Sequence, residues 1–264
     1  MKILLISGDH RRHKNFASII DSKFELVSWI VEKREDSLPK IYRFKNKIYK
    51  TNFNYHFQKR DEYEKKYFKF DKKNINQKKI KITKIKNNIK KIKSLLKKYK
   101  PKILITFGSS IIPNELLKNL PKHSINLHSG LAPYYKGSAC NFWPIYFLQP
   151  NFVGMTFHYL SDKLDSGRII HHSIPKLKLN ENIHSLACRA QIKAFKDFVK
   201  IVDKIKKNNL KGKSLDIHGK LFLKKDFKPE HLRIVYNTFK DSIINLFLKK
   251  KILTNKPIIV NYND

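Results

Sequence analysis

Several features that mark membrane, secreted and metal-binding proteins are absent from this sequence. No apolar run is long enough to span a bilayer, so no membrane-spanning helix is predicted. The opening residues lack the charged region, apolar stretch and cleavage site of a secretory signal, which predicts a cytoplasmic protein. Cys140 and Cys188 are too few for a disulfide framework or a Cys-rich zinc site and are predicted to be free structural thiols. No His-Glu-x-x-His or paired-Cys spacing occurs, so no metal site is predicted.

Acidic residues and arginine are also scarce. Lys and Arg number 57 against 21 Asp and Glu, which gives a formal net charge of +36. Such a basic surface attracts nucleic acid. Only eight of the basic residues are Arg, however, and Arg is the residue that best makes bidentate contacts with phosphates and bases. Because an excess of Lys, Asn and Ile is typical of an AT-rich genome, we interpret the charge as a solvated surface and expect no nucleic-acid partner.

The order of apolar segments predicts the fold class. The chain of 264 residues, 41% of them hydrophobic, can form one sizeable core with an appendage. Predicted strands cover residues 1–7, 24–31, 102–106, 124–128 and 153–160, and predicted helices start near residue 16 and cover residues 72–100 and 116–120. This alternation predicts an α/β fold with a mostly parallel sheet, right-handed crossovers and a functional site at the carboxyl ends of the strands.

Residues 72–100 form the main low-complexity segment, rich in Lys, Ile and Asn. Its apolar residues recur at three- and four-residue steps, which predicts one surface helix that packs on the sheet and exposes its lysines. Residues 54–68 are predicted to be a helical insertion. Within it, His56, Phe57 and Arg60 fit a substrate contact and an ordinary surface helix equally well.

The pattern changes after residue 175. Residues 181–207 have the apolar spacing of a long amphipathic helix, residues 219–227 resemble a short strand, and residues 230–250 are predicted to be helical. We therefore predict a catalytic domain over residues 1–175 and a small, mainly helical α+β extension over residues 176–264.

Three polar residues, Asn126, His128 and Asp165, are predicted to meet at one place. Side chains alternate between the two faces of a strand, so Asn126 and His128 project from the same face. The loop at residues 161–167 follows the next predicted strand and can place Asp165 beside them. An amide, an imidazole and a carboxylate at one position favour catalysis over three unrelated structural roles.

The first turn of the chain is a second candidate site. An apolar strand is followed by Gly8-Asp9-His10-Arg11-Arg12-His13 and then by helical spacing. A turn leading into a helix start can bind an anion through free backbone N–H groups and the helix dipole, and the basic side chains add charge. A phosphate is the expected ligand. The turn lacks the G-x-G-x-x-G pattern of a dinucleotide site.

These motifs resemble those of the formyltransferases that use 10-formyltetrahydrofolate. The resemblance rests on Asn126-x-His128, the turn at residues 129–137, and Asp165 within Leu-Asp-Ser-Gly at residues 164–167. Residues 103–108 and 111–113 are similar to the strand and loop that line the folate pocket in that family. The resemblance implies a Rossmann-like formyltransferase fold, 10-formyltetrahydrofolate as co-substrate, and Asn126, His128 and Asp165 as catalytic residues.

Formyl transfer suggests a role for each of these three residues. An amine attacks the formyl carbon directly, so no covalent acyl-enzyme is required. Asn126 is expected to donate a hydrogen bond to the oxyanion, and His128 to donate another or to supply positive charge. Asp165 is expected to orient His128 or to take the amine proton, directly or through water.

The resemblance also implies two groups of binding residues. The expected folate-binding residues are Phe107, Gly108, Ser109, Ser110, Ile111, Ser161 and Leu164. The expected acceptor-binding residues are Gly8, His10, Arg11, Arg12, His13, Tyr135 and Trp143. Trp143 fits the acceptor pocket and the hydrophobic core equally well. His158, His171 and His172 are interpreted as ordinary strand or surface histidines, although strand alternation allows His158 to face the acceptor cleft.

The acceptor is expected to be the amine of a nucleotide-linked amino sugar used for surface polysaccharides. The chain most resembles the bacterial sugar N-formyltransferases, because its tail looks too helical for the C-terminal barrel of initiator-tRNA formyltransferases. Its first turn also lacks the glycine-rich phosphate loop of glycinamide ribonucleotide formyltransferases. Related sugar enzymes commonly dimerise, which makes a homodimer an expectation. The alternatives are a methionyl-tRNA or other amine formyltransferase, a formyltetrahydrofolate hydrolase, and an RNA-binding module without turnover.

Overall fold

The computed structural model describes residues 1–32, 46–70 and 73–263, and a seven-stranded sheet is at its centre. The strands in chain order are β1 Lys2–Ser7, β2 Glu25–Glu32, β3 Lys79–Ile82, β4 Ile103–Phe107, β5 His123–His128, β6 Tyr135–Gly137, β7 Met155–Tyr159, β8 Ile169–Ser173 and β9 Lys220–Phe222. The sheet order is β3-β2-β1-β4-β5-β7-β8, and its first five strands are parallel. Strands β7 and β8 are antiparallel to their neighbours. The predicted α/β fold with a mostly parallel sheet is confirmed.

Helices cover both faces of this sheet. They are α1 Arg11–Lys23, α2 Lys47–Tyr67, α3 Lys73–Gln77, α4 Ile89–Tyr99, α5 Asn114–Leu117, α6 Trp143–Tyr146, α7 Ile183–Lys206, α8 Pro229–Arg233 and α9 Ile243–Leu248. A π-helical turn at Ile234–Thr238 follows α8. Within the described ranges, no helix is both long enough and apolar enough to cross a membrane.

The prediction of one continuous helix over residues 72–100 is wrong. The segment contains α3, the edge strand β3, a short 3₁₀ turn at Ile85–Asn87 and α4, and residue 72 lies outside the described residues. Ile80 and Ile82 are two positions apart, as in a strand, and pair with Ile30 and Glu32 of β2. Steps of three and four residues continue from Ile82 through the apolar residues of α4. The sequence around Ile80 and Ile82 therefore fits both the two-residue period of a strand and the helical period. Pairing with β2 selects the strand.

Alternating residues of β1 show how the core is divided. Ile3 and Leu5 belong to a large buried cluster on one face, whereas Leu4 and Ile6 belong to a smaller cluster with α4 and α5 on the other. The predicted helix at residues 181–207 is present as α7, which packs on the larger face. Its Phe195 stacks on Phe16 of α1, with a centroid separation of 4.7 Å.

Helix α7 therefore shares a core with the sheet. Phe195 and Phe198 are both fully buried, and each such side chain contributes about 2 kcal/mol of hydrophobic stabilisation. Asn182 caps the start of the helix, because its side chain accepts a hydrogen bond from Ser185 N. The division of the chain near residue 175 stays a prediction, as does the separate status of residues 176–264, of which Asp264 lies outside the described residues.

A second, two-stranded sheet attaches the C-terminal part of the chain to the loop after β5. Strand β9 runs parallel to β6, with Ser138 N donating to Phe222 O at 2.7 Å and Lys220 N donating to Tyr134 O at 2.9 Å. A Cβ atom on Gly219 would lie 1.6 Å from the backbone oxygen of Pro133. Only glycine permits this approach, so β9 fixes the position of the loop that carries β6.

His172 connects the same loop to a second C-terminal segment. Its Nε2 is 2.7 Å from Ala132 O, and its Nδ1 accepts a hydrogen bond from Val260 N at 3.0 Å. The neutral imidazole with hydrogen on Nε2 satisfies both contacts, whereas a proton on Nδ1 would face the Val260 N–H. Burial, with a smaller effect of His171, lowers the pKa of His172 to about 4.

We expect this histidine to make the fold sensitive to acid. The unfolded chain binds a proton near pH 6.5 and the folded chain only near pH 4, so stability is full above pH 6.5 and falls as the pH decreases through this window. The loss due to His172 is about 3 kcal/mol. Urea unfolding at several pH values should show that His172→Gln, although less stable at pH 7, has a shallower dependence between pH 6.5 and pH 4.

The exposed His218 provides the matched control, because His218→Gln should leave the pH dependence of the wild type unchanged. A dependence in His172→Gln as steep as in the wild type would contradict this role of His172.

Candidate active site

Three adjacent strands place a row of polar residues across the sheet. Asn126 of β5 pairs with Thr106 of β4 on one side and with His158 of β7 on the other. Thr106 Oγ1 donates to Asn126 Oδ1 at 2.7 Å, and Asn126 Nδ2 lies 3.0 Å from His158 Nε2. His158 Nδ1 is 2.8 Å from the carbonyl oxygen of Tyr159 and therefore carries the proton, which leaves Nε2 to accept from Asn126. The Asn126 amide is held on both sides.

Asp165 links this row to His128 and to the β6 strand. Its Oδ1 accepts from Asn126 Nδ2 at 3.2 Å, and its Oδ2 lies 3.2 Å from His128 Nδ1. Oδ2 also accepts from Gly137 N at 2.9 Å. Asn126, His128 and Asp165 thus lie together, as predicted. The first two belong to β5 and the third to the loop between β7 and β8. Asp165 has a left-handed backbone with φ of 47°, a conformation that Asp tolerates better than most residues.

The Asp165 carboxyl is ionised at neutral pH. Burial by itself raises the pKa of a carboxyl group, but His128, His158 and the Gly137 N–H favour the carboxylate and bring the pKa of Asp165 down to about 2. The site therefore holds a buried negative charge that accepts hydrogen bonds from Asn126 and Gly137 and lies beside two imidazoles.

Both ring nitrogens of His128 face acceptors. Nδ1 faces Asp165, and Nε2 lies 2.9 Å from Tyr135 O. Burial lowers the pKa of His128, against the opposing effects of the carboxylate and the carbonyl. The neutral ring can donate to only one neighbour, and because the Tyr135 carbonyl can only accept, Nε2 carries the hydrogen; Nδ1 then lies beside the carboxylate and pairs with it only when the ring is protonated. The space beside the ring is tight, because a Cβ atom on Gly130 would lie 2.6 Å from Nε2.

His158 is a site residue that the sequence interpretation missed. The sequence interpretation makes it an ordinary strand or surface histidine, yet it is buried, contacts Asn126 and lies 3.5 Å from Asp165 Oδ1. The signal was the alternation of β7, which allowed His158 to face the cleft. Alternation alone does not predict the contact with Asn126. That contact depends on the antiparallel register of β7 against β5, which neither strand encodes by itself.

A cavity opens on the carboxyl side of this row and collects most of the predicted folate-binding residues. Its lining includes Thr106, Ser109, Ser110, Ile111, Ile112, Asn126, His158, Leu160, Ser161, Lys163, Leu164 and Asp165. The side chains of Ile111 and Leu164 are exposed, at 57% and 37% respectively. The cavity therefore combines exposed apolar side chains with polar walls, as small-molecule sites do.

Two of the predicted folate-binding residues are placed differently. Phe107 is fully buried below the cavity, with its ring 4.7 Å from that of His13. Gly108 has a φ of 65°, and a Cβ atom there would lie 2.8 Å from His13 Nε2. These two residues set the position of the loop at residues 108–112 and do not belong to the cavity lining.

The predicted acceptor-binding residues of the first turn surround the start of α1. His13 is buried, and its Nδ1 accepts a hydrogen bond from His10 N at 3.1 Å. It also lies against Gly8, where a Cβ atom would be 2.8 Å from the ring. Arg12 forms an ion pair with Glu64 of α2, and Arg11 lies half-buried in the first turn. Anion binding at this turn stays a prediction.

Tyr135 and Trp143 are both buried in an aromatic cluster. The Tyr135 hydroxyl donates to Gln149, and Trp143 Nε1 donates to Ser138 O at 3.0 Å. The Trp143 ring stacks on Phe222 of β9, with a centroid separation of 4.4 Å. Trp143 thus lies in the hydrophobic core, one of the two positions that the sequence allowed. Its contact with an acceptor stays a prediction.

Other reactive groups near the site have structural roles. Cys140 is a free, buried thiol, and burial raises its pKa, so it is a poor nucleophile at neutral pH. Across the described residues, no group of three His, Cys, Asp or Glu side chains is arranged to hold a metal ion.

Comparisons with known proteins identify the family of the chain. A family model described as Formyl transferase matches residues 55–202. The methionyl-tRNA formyltransferase of Thermodesulfovibrio yellowstonii is 28% identical over 145 residues, which cover 54% of this chain and 46% of that protein. This chain thus spans less than half the length of that curated relative.

Solved structures extend the similarity to most of the chain. A 4-N formyltransferase from Francisella tularensis superposes with a TM-score of 0.58 at 20% identity, covering 86% of this chain and 78% of that one. A sugar N-formyltransferase from Shewanella sp FDAARGOS_354 has a TM-score of 0.56 at 17% identity over the same shares. At these identities the likeness shows the fold. Because the family model covers more than half of the sequence, the chain belongs to the formyl transferase family.

Proposed function

We propose that this protein is an N-formyltransferase that moves a formyl group from 10-formyltetrahydrofolate to the amine of a nucleotide-linked amino sugar. The observation that carries the proposal is the ionised Asp165, held by Asn126 and His128 at the wall of a cavity with an apolar rim. Family membership gives the reaction class, and the exposed apolar side chains of Ile111 and Leu164 beside polar walls support a folate ring as the ligand of the cavity.

Asn126 is the oxyanion donor in this proposal. As the acceptor nitrogen bonds to the formyl carbon, the carbonyl oxygen gains negative charge and needs a fixed donor. Both amide hydrogens of Asn126 are engaged in the free protein, one by His158 Nε2 and one by Asp165 Oδ1. One of these contacts must yield to the oxyanion. Thr106 keeps the amide oriented while it does so, because it holds the opposite end at Oδ1.

Asp165 acts mainly through its charge. A carboxylate with a pKa of about 2 is a weak general base at pH 7, so direct proton abstraction from the resting amine is a minor role. Its negative charge instead stabilises the ammonium that forms when the amine attacks. The proton then passes, through water, to the folate nitrogen as the bond between that nitrogen and the formyl carbon breaks. The Gly137 N–H keeps the carboxylate in place, and His128 Nδ1, 3.2 Å from Oδ2, can pair with it when the ring is protonated.

The amino-sugar acceptor is the finer part of the proposal. Sugar N-formyltransferases are among the structures with the same fold, and the start of α1, with Arg11 beside it, suits a nucleotide diphosphate. The second candidate acceptor is methionyl-tRNA, favoured by the names of the curated relatives and by the net charge of +36. Cytoplasmic location and a homodimer stay predictions.

We expect Asp165→Asn to lower turnover by about three orders of magnitude or more, because the variant loses the charge that stabilises the ammonium. Release of tetrahydrofolate, followed at saturating substrates, measures the effect. Asp162→Asn makes the same change at an exposed position of the same loop and should keep wild-type turnover. Asp165→Asn with more than a tenth of wild-type activity would contradict the assigned role.

The acceptor is tested by supplying 10-formyltetrahydrofolate with a panel of nucleotide-linked amino sugars, with initiator tRNA, and with no acceptor. We expect tetrahydrofolate release with one or a few of the sugars, together with a mass increase of the sugar by one formyl group. Turnover confined to tRNA would replace the proposal with the second candidate, and equal turnover without any acceptor would indicate a hydrolase.

A further inference from the structure

A buried carboxylate lies behind the cavity wall, at a position that the sequence analysis did not single out. Glu32 is the last residue of β2, and it is only 3% exposed. Its Oε2 accepts a hydrogen bond from Ser110 N at 2.7 Å, and its Oε1 accepts from Ser110 Oγ at 2.6 Å. Oε1 also accepts from Ile85 N at 3.1 Å. One carboxyl group thus joins two separate loops to the sheet.

The loop bound by Glu32 is the one that forms a wall of the cavity. Ser110 lines the cavity, and its neighbour Ile111 exposes most of its side chain at the rim. An exposed loop of this kind gains conformational freedom when its backbone is released. Glu32 reaches it from below, through a main-chain N–H and a hydroxyl of the same residue. Two hydrogen bonds to one residue fix both its position and its orientation.

The third hydrogen bond, from Ile85 N, links Glu32 to the Lys-rich segment that contains β3 and α4. Ile85 begins the 3₁₀ turn between β3 and α4, and its N–H donates to the same carboxylate oxygen as the Ser110 hydroxyl. Pairing of β3 with β2 brings Ile82 opposite Glu32 and so places Ile85 within reach. The turn after the edge strand and the Ser110 hydroxyl therefore share Oε1 of Glu32, while the Ser110 N–H donates to Oε2.

We propose that Glu32 is a positioning residue that keeps the loop at residues 108–112 in the conformation that binds the folate co-substrate. This inference rests on the proposed function, because it assigns the cavity to the folate. If the free loop populates the binding conformation only part of the time, the apparent dissociation constant rises by the inverse of that fraction. Once folate is bound the loop is in place, and the chemical step proceeds as before.

Glu32→Gln is the most direct test, because it keeps the shape of the side chain while it replaces the carboxylate, with its charge and two acceptor oxygens, by a neutral amide. A carboxylate is an acceptor at both oxygens, whereas the amide group of Gln turns an NH₂ toward one set of donors. At least one of the bonds to Ser110 or Ile85 is then lost. We expect the dissociation constant of tetrahydrofolate and the KM for 10-formyltetrahydrofolate to rise about tenfold, the equivalent of roughly one charge-assisted hydrogen bond.

The split between kinetic constants separates positioning from general destabilisation. With Glu32→Gln, kcat at saturating folate and the KM for the acceptor should stay within about twofold of the wild type. A loss of folded protein alone would lower the apparent kcat and leave the KM for folate unchanged. Glu115→Gln is the matched control, since Glu115 is exposed in α5, just beyond the same loop, and pairs with Lys93. It should leave every constant unchanged.

Ser110→Ala provides a second variant that does not depend on the folding of Glu32→Gln. It removes the hydroxyl donor and keeps the main-chain N–H, so we expect a rise of about threefold in the dissociation constant of tetrahydrofolate. If the wild type binds tetrahydrofolate and Glu32→Gln binds it equally well, the positioning role is wrong and the proposed function stands. If Glu32→Gln does not fold, wild-type affinity in Ser110→Ala overturns the role. A wild type that binds no tetrahydrofolate overturns both.

Discussion

The candidate site depends on one buried charge, the carboxylate of Asp165. Placing an ionised carboxyl in the interior costs several kcal/mol unless donors surround it. Here Asn126 and the Gly137 N–H supply two hydrogen bonds, each of which contributes about 1.5–3 kcal/mol when the acceptor is charged, and His128 Nδ1 lies 3.2 Å from the carboxylate. The carboxylate thus joins β5, the loop containing β6, and the loop between β7 and β8. The same charge faces the cavity, so the group that organises the site is also the one that would stabilise a cationic intermediate.

The loops around this charge are each held from outside the site. Strand β9 and His172 fix the loop at residues 129–137, which carries Gly137, and both draw on C-terminal segments. Glu32 fixes the opposite cavity wall through Ser110. Since the proposed formyl transfer needs a fixed donor close to the oxyanion, this outer set of contacts would help to hold the catalytic groups in place.

Local patterns in the sequence predicted the parts of the molecule that local rules determine. Strand alternation placed Asn126 and His128 on one face, and the loop after the next strand supplied Asp165. The features that the sequence did not predict depend on pairing between distant segments. β3 was hidden because Ile80 and Ile82 also fit a helical period, and only their pairing with β2 selects a strand. The positions of His158 and Glu32 likewise depend on register and on loops more than 25 residues away, which no single segment encodes.

The measurement that tests this account most directly is the pKa of the Asp165 carboxyl in the free protein, from the pH dependence of its ¹³C chemical shift, assigned with Asp165→Asn. The imidazoles of His128 and His158 and the donors around this buried charge hold the pKa of Asp165 at about 2, so the shift should stay constant from neutral pH down to about pH 3. A carboxyl group that titrates at or above the ordinary value of 3.8 would contradict it, because Asn126, His128 and Gly137 would then not stabilise a charge and the site would lack its central interaction.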